Sequence, residues 1–306
     1  MLTIICLALA SACSPGDGAP SVILDASRDR AIDYQVWLPQ TGEKSPLVIF
    51  SHGSGGDYRN YSWVLNALVE HGYVVAAVNH PGNTARDNTD QGVIRIWDRP
   101  RDMSLLLDTL LADPKLSTKI DSSRIGAMGH SSGGYTAISL AGGIYNPDLM
   151  RAYCSGKNSG PDCKLAAKDI VVDFTLAALP YKDPRITAVF AMAPAVGPAI
   201  DEESLASIDI PVFIIATRDD EVLPYTRHAM RYAQHIPGSV LELLPAGGHF
   251  IFLECDAITR IADWFIDEFD LCGNQFNVDK VRIRGLVASQ ATQFFDDKFA
   301  STPPNN

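Results

Sequence analysis

The stretch Arg124–Ala141 reads RIGAMGHSSGGYTAISLA. Arg124 to Met128 is a short run able to form a buried strand, and Tyr135 to Ala141 is apolar with small residues, as a packed helix requires. Between them lies Gly129-His130-Ser131-Ser132-Gly133. This is G-x-S-x-G at a strand-to-helix junction, the context in which a nucleophile elbow forms. Such a turn forces its central residue into a strained backbone conformation. Glycines at either side lack a Cβ, so strand and helix can approach closely. The pattern predicts Ser131 exposed at the carboxyl edge of a sheet, with a helix N-terminus behind it.

The flanking sequence supplies that sheet. Val22–Ala26 and Ile32–Pro39 read as two antiparallel edge strands. Leu47–Phe50 and Tyr73–Val78 read as buried strands, ending in Ser51-His52-Gly53-Ser54-Gly55-Gly56 and in Asn79-His80-Pro81-Gly82. Apolar spacing predicts a helix over Arg59–Glu70. A polar loop runs to about Asp98, and a second helix follows around Pro100, with Met103, Leu106, Leu107, Leu110 and Leu111 on one face. After the Ser131 unit, residues 142–183 break the βα rhythm and read as a short cap insertion. Its apolar stretch Ile170–Leu179 has helical spacing. Strands follow at Ile186–Ala193, Val212–Ala216 and Val240–Leu244, with helices at Tyr225–Gln234 and Ile258–Phe269. Strands alternating with helices imply an α/β fold, a mostly parallel central sheet flanked by helices, with ligands at the carboxyl ends of the strands.

Bulk properties narrow the partners. The chain has 306 residues, 46% hydrophobic and 20% charged, with a net charge of −11. That is enough apolar sequence for a large core, and the negative charge argues against nucleic acid as a partner. Residues 1–20 read as a leader and tether, and 21–306 as the folded domain. The leader MLTIICLALASAC has the apolar core and small-residue end of a signal peptide and is too short to span a bilayer. Ala10-Ser11-Ala12-Cys13 resembles a bacterial lipoprotein box, which would make Cys13 a lipid anchor; Ala10 stands where Leu is usual, and no Lys or Arg precedes the apolar run. The reading is export to the periplasm or cell envelope. The remaining cysteines pair by proximity as Cys154–Cys163 and Cys255–Cys272, two local disulfides in an oxidising compartment. No C-x-x-C or C-x-x-H spacing points to zinc.

Acyl transfer by a serine needs a base, a carboxylate to orient the base, and N–H donors for the oxyanion. Each has a candidate at a strand end. His249, in Gly247-Gly248-His249-Phe250 after the last core strand, is the base. His71, His228 and His235 fall on helices or helix ends and read as surface residues; His52, His80 and His130 precede or abut Ser131. Asp220 is the acid, in Thr217-Arg218-Asp219-Asp220-Glu221, four residues before Pro224; Asp219 and Glu221 are its rivals. The backbone N–H groups of Ser54 and Ser132 are the oxyanion donors, the second at a helix N-terminus that already favours negative charge.

Together these residues resemble the α/β-hydrolase superfamily, in which an acid four residues before a proline is common. More narrowly they resemble the bacterial predicted dienelactone hydrolases and the plasma-type platelet-activating-factor acetylhydrolase group. The matching stretches are Phe50-Ser51-His52-Gly53, Val78-Asn79-His80-Pro81-Gly82, Arg99-Pro100-Arg101-Asp102, Gly129–Gly134, Asp183-Pro184-Arg185-Ile186 and Gly248-His249-Phe250. The resemblance implies a serine hydrolase that cleaves small-molecule carboxylic esters of short to medium acyl length, with no metal or organic cofactor. True dienelactone hydrolases use a cysteine nucleophile, so Ser131 favours an ester over a dienelactone. A serine peptidase or amidase, or a lipase, on the same fold is the alternative. A non-catalytic binding protein would be expected to lack one of the three residues.

Overall fold

The computed structural model describes residues 20–156, 159–168, 170–255, 271–272 and 275–300. The leader with Cys13, and the helix expected over Ile258–Phe269, lie outside the described residues. Eight strands form one sheet: β1 (Ser21–Asp25), β2 (Arg30–Trp37), β3 (Ser45–Ser51), β4 (Val74–Asn79), β5 (Ile120–His130), β6 (Ala188–Met192), β7 (Val212–Thr217) and β8 (Val240–Leu244). Their order is β1-β2-β4-β3-β5-β6-β7-β8. β1 and β2 are antiparallel to each other, β2 is antiparallel to β4, and all other pairings are parallel. Of the two strands expected at the edge, β1 is there and β2 is not: it lies between β1 and β4.

Eight α-helices are described: α1 (Ser62–Glu70), α2 (Asp90–Ile94), α3 (Asp98–Ala112), α4 (Ser132–Ala141), α5 (Pro147–Ser155), α6 (Glu202–Ala206), α7 (Ala229–His235) and α8 (Lys280–Ala300). Strand parity decides which helices each side chain meets. Leu47, Ile49, Val74 and Ala76 pack in one core with α3, α4 and α7. Val48, Phe50, Val75 and Ala77 point the other way, into a core with α1 and α8. A strand covered on both faces has no polar side, so these segments read as continuous apolar runs.

Three expectations need correction. Ile170–Leu179 is not helical. The Asp173 carboxylate accepts from the Thr175 N–H (2.9 Å) and hydroxyl (2.6 Å), closing a turn that competes with a helix. Phe174 rests on Trp97, with ring centroids 5.4 Å apart, and Ala177 is fully buried, whereas Val171 is exposed. The helix expected from Tyr225 starts only at Ala229, and the loop before Asp98 contains the short α2, capped by the Thr89 hydroxyl. The long C-terminal α8 was not expected from the sequence. It closes the second core with Phe294, Phe295 and Phe299.

Candidate active site

Register brings the site together. β3 lies beside β5 with Ser51 opposite Gly129, so the loop after β3 emerges next to the turn after β5. β7 lies beside β8 with Thr217 opposite Leu244, so the segments carrying Asp220 and His249 leave the sheet as neighbours.

Ser131 stands between β5 and α4 with φ 56° and ψ −118°. A non-glycine residue there costs about 1–3 kcal/mol and persists only where its surroundings enforce it. The enforcement is visible. The Ser131 N–H donates to the Met192 carbonyl (2.9 Å), and the Ser131 carbonyl accepts from the N–H groups of Ala195 (3.0 Å) and Tyr135 (3.1 Å). A Cβ on Gly133 would lie 1.8 Å from the Ser51 carbonyl oxygen, so only glycine lets α4 begin this close to β3. Ser132 is the first residue of α4, and first-turn N–H groups have no intrahelical acceptor.

His249 is buried, and its Nδ1 lies 2.8 Å from Asp220 Oδ2. The other carboxylate oxygen of Asp220 accepts from the N–H groups of Val222 (3.1 Å) and Leu223 (2.6 Å). The rivals behave differently. Asp219 is exposed. Glu221 accepts the backbone N–H of His249 at 3.0 Å, holding the loop rather than the ring. The His249 ring sits 4.7 Å from that of His130, the residue before Ser131, so the imidazole lies beside the Ser131 turn.

Several residues of the site carried no distinctive sequence signal. Gly53 N–H donates to the Tyr61 hydroxyl (3.1 Å), which lies 2.8 Å from His130 Nδ1, and His130 Nε2 lies 3.1 Å from the His249 carbonyl. A carbonyl only accepts, so Nε2 bears the hydrogen and Nδ1 takes the tyrosine proton. Burial, then the neighbouring His249, push the His130 pKa well below its ordinary value, keeping it neutral. Two carbonyls of the loop at 251 and 253 accept from Arg284 of α8, the first at 2.9 Å.

His228 is a correction. It stands just before α7 and is buried, not a surface residue. Its Nδ1 accepts the Gly197 N–H (3.3 Å), its Nε2 lies 3.4 Å from Asp162, and Tyr153 packs edge-on against it. Asp162 and Tyr153 belong to the insertion, whose two arms are joined by Cys154–Cys163; Cys255–Cys272 is the second described disulfide. The insertion therefore packs against the segment that leads into α7. Among the described residues, no group of three or more His, Cys, Asp or Glu is placed to hold a metal ion.

A family model described as "Alpha/beta hydrolase family" matches residues 48–264. Cutinase 2 from Thermobifida cellulosilytica is 24% identical over 229 residues, 74% of this chain and 64% of that one. Platelet-activating factor acetylhydrolase from Bos taurus is 29% identical over 143 residues, 32% of each chain. The chain spans 36% to 64% of the length of the Thermobifida cutinases that it matches. A ferulic acid esterase structure from Streptomyces cinnamoneus superposes with a TM-score of 0.61 at 18% identity, covering 97% of this chain and 94% of that one. At that identity the likeness is one of fold.

Proposed function

The chain belongs to the alpha/beta hydrolase family, and on that premise we propose that it is a serine hydrolase of small-molecule carboxylic esters, with residues 21–306 as the hydrolase domain. One observation carries the reading. A strained Ser131 at the strand–helix turn lies beside a buried His249, whose far nitrogen bonds a buried Asp220 at 2.8 Å.

In the proposed reaction, Ser131 Oγ attacks the ester carbonyl while His249 Nε2 takes its proton. Asp220 keeps the hydrogen on Nδ1 and offsets the positive charge that forms on the ring. The oxyanion is received by the backbone N–H groups of Ser54 and Ser132. His249 returns the proton to the departing alcohol, leaving an acyl-enzyme. Water, deprotonated by the same His249, attacks it; the acyl–Oγ bond breaks, His249 returns the proton to Ser131 Oγ, and the acid leaves. The steps as written use the ester, one water and groups of this chain.

The short insertion sets the acyl range. Each methylene buried in an apolar pocket contributes about 0.8 kcal/mol until the pocket is full. The insertion packs down on the loop before α7 rather than forming a long helical lid. Values of kcat/KM for p-nitrophenyl esters are expected to climb from acetyl to butyryl or hexanoyl and fall for palmitate, without a jump at the micelle threshold. A steady rise to palmitate with such a jump would make the protein a lipase. Because Phe174 rests on Trp97 in the core, Phe174→Ala is expected to lower stability and leave this profile unchanged.

Two disulfides fit an oxidising compartment. We extend the reading to export, with residues 1–20 as leader and tether and a lipid anchor on Cys13. Metabolic labelling with an alkyne fatty acid is expected to mark the full chain but not Cys13→Ala. An unlabelled chain recovered from a soluble extract with its disulfides formed would remove the anchor while leaving export intact.

A further inference from the structure

A planar trans peptide holds its N–H antiparallel to its C=O, so fixing the carbonyl also aims the N–H. The peptide joining Gly53 to Ser54 is trans, and three donors hold its carbonyl. His52 Nδ1 lies 2.6 Å from the Gly53 oxygen, the Gly56 N–H 3.1 Å, and Arg99 Nη2 3.3 Å. The Gly53 N–H is itself committed to Tyr61. A Cβ on Gly53 would lie 3.5 Å from Ser131 Cβ, so this peptide stands next to the nucleophile, and its Ser54 N–H is the donor assigned to the oxyanion.

We propose that His52 and Arg99 are positioning residues that aim the Ser54 N–H at the oxyanion by holding the Gly53 carbonyl; this rests on the serine-esterase reading above. Both are buried, and the hydrogen bonds fix their states. Because a carbonyl only accepts, the His52 hydrogen is on Nδ1, and Nε2 accepts the His80 N–H at 3.1 Å. Burial first, then the Arg99 and His80 charges, push the His52 pKa well below its ordinary value. Arg99 spreads its fork over the His52 carbonyl (2.7 Å), the Gly53 carbonyl and the Asn83 side-chain oxygen (2.6 Å). Asn83 in turn donates to the Ser54 hydroxyl at 2.9 Å.

Behind this lies a second Ser-His-Asp chain. Ser51 Oγ is 2.9 Å from His80 Nε2, and His80 Nδ1 is 2.9 Å from Asp102. Its connectivity copies that of a catalytic triad, but all three residues are at most 1% exposed and Arg99 Nη1 donates to Ser51 Oγ at 3.3 Å. No ester reaches that hydroxyl, so the chain is a brace. Arg28 and Arg30 of the first hairpin anchor Asp102, each at 2.7 Å. Burial alone would raise the Asp102 pKa, but His80 and Arg30 hold it down to about 2. The brace fixes His80, whose N–H fixes His52.

The test separates geometry from folding. In asparagine the amide nitrogen occupies the place of Nδ1; in glutamine it reaches the place of Nε2 and loses the bond to the Gly53 carbonyl. With p-nitrophenyl butyrate, His52→Gln is expected to lower kcat about 10²-fold, the cost of a lost oxyanion donor, with KM within about twofold, and His52→Asn to restore kcat to within about fivefold of wild type. Affinity for a trifluoromethyl ketone, which becomes a tetrahedral oxyanion on Ser131, should fall in parallel with kcat. Arg99→Lys keeps the charge and loses the fork, and should show the same kcat-only loss; if it does not fold, the His52 pair decides. Equal losses in His52→Asn and His52→Gln, or a kcat loss without loss of ketone affinity, would overturn the inference. A wild-type protein without ester hydrolysis would overturn the esterase reading instead.

Discussion

Ser131→Ala is expected to lower kcat for p-nitrophenyl butyrate by about 10⁶-fold, the scale of removing a triad nucleophile. It should do so without unfolding the protein. The turn is held through the backbone of residue 131, whose N–H and carbonyl bond to Met192, Ala195 and Tyr135. Alanine keeps all three bonds and the same φ, so the strain neither grows nor disappears. Binding should survive, because the acyl pocket and the oxyanion donors are untouched, and residual hydrolysis then reflects those groups alone. A fluorophosphonate probe should label the wild type at Ser131 and leave the variant unlabelled. Labelling of Ser131→Ala at Ser51 would mean that the buried Ser51–His80–Asp102 chain is reachable after all. Near-wild-type turnover in the variant, with contamination excluded, would remove Ser131 from the reaction.

The succession of strands along the chain and the Ser131 turn were legible because each rests on local chemistry. Glycine at 129 and 133, short continuous apolar runs, and Gly-rich strand ends leave traces within a few residues. What was not legible depends on distant partners. His228 looks like any polar residue at a helix start; only the insertion, folded back with Tyr153 and Asp162, buries it. Ile170–Leu179 has helical spacing, yet the Asp173 turn and the Trp97 surface win over that weak preference. α8 opens with Lys280, Arg282, Arg284 and Gly285 interleaved with Val281, Ile283 and Leu286, and its buried residues begin only at Val287, so its first turns carry no clear apolar stripe. Its Arg284 nonetheless holds the loop that follows His249. Arg99 is the sharpest case. A buried arginine without a carboxylate at its fork is costly by itself, and burial drops its pKa to about 9. Nothing along the chain announces that two carbonyls and Asn83 await it.

Asp220→Asn is expected to lower kcat by about 10⁴-fold, through the tautomer of His249 rather than through lost charge alone. Oδ1 of Asp220 accepts two backbone N–H groups, from Val222 and Leu223. An asparagine must keep its carbonyl oxygen there, because its amide nitrogen has nothing to offer two donors. The amide nitrogen then faces His249 Nδ1 and forces that atom to accept. The hydrogen moves to Nε2, the nitrogen that must take the Ser131 proton, and the base is lost while the packing stays. Asp219→Asn should leave turnover near wild type, since Asp219 is exposed. Glu221→Gln should cost far less than Asp220→Asn, because an amide oxygen can still receive the His249 backbone N–H. The three variants, compared at equal thermal midpoint, order the acidic run by role. A damaging Asp219→Asn beside a mild Asp220→Asn would shift the acid by one residue and with it the orientation proposed for His249.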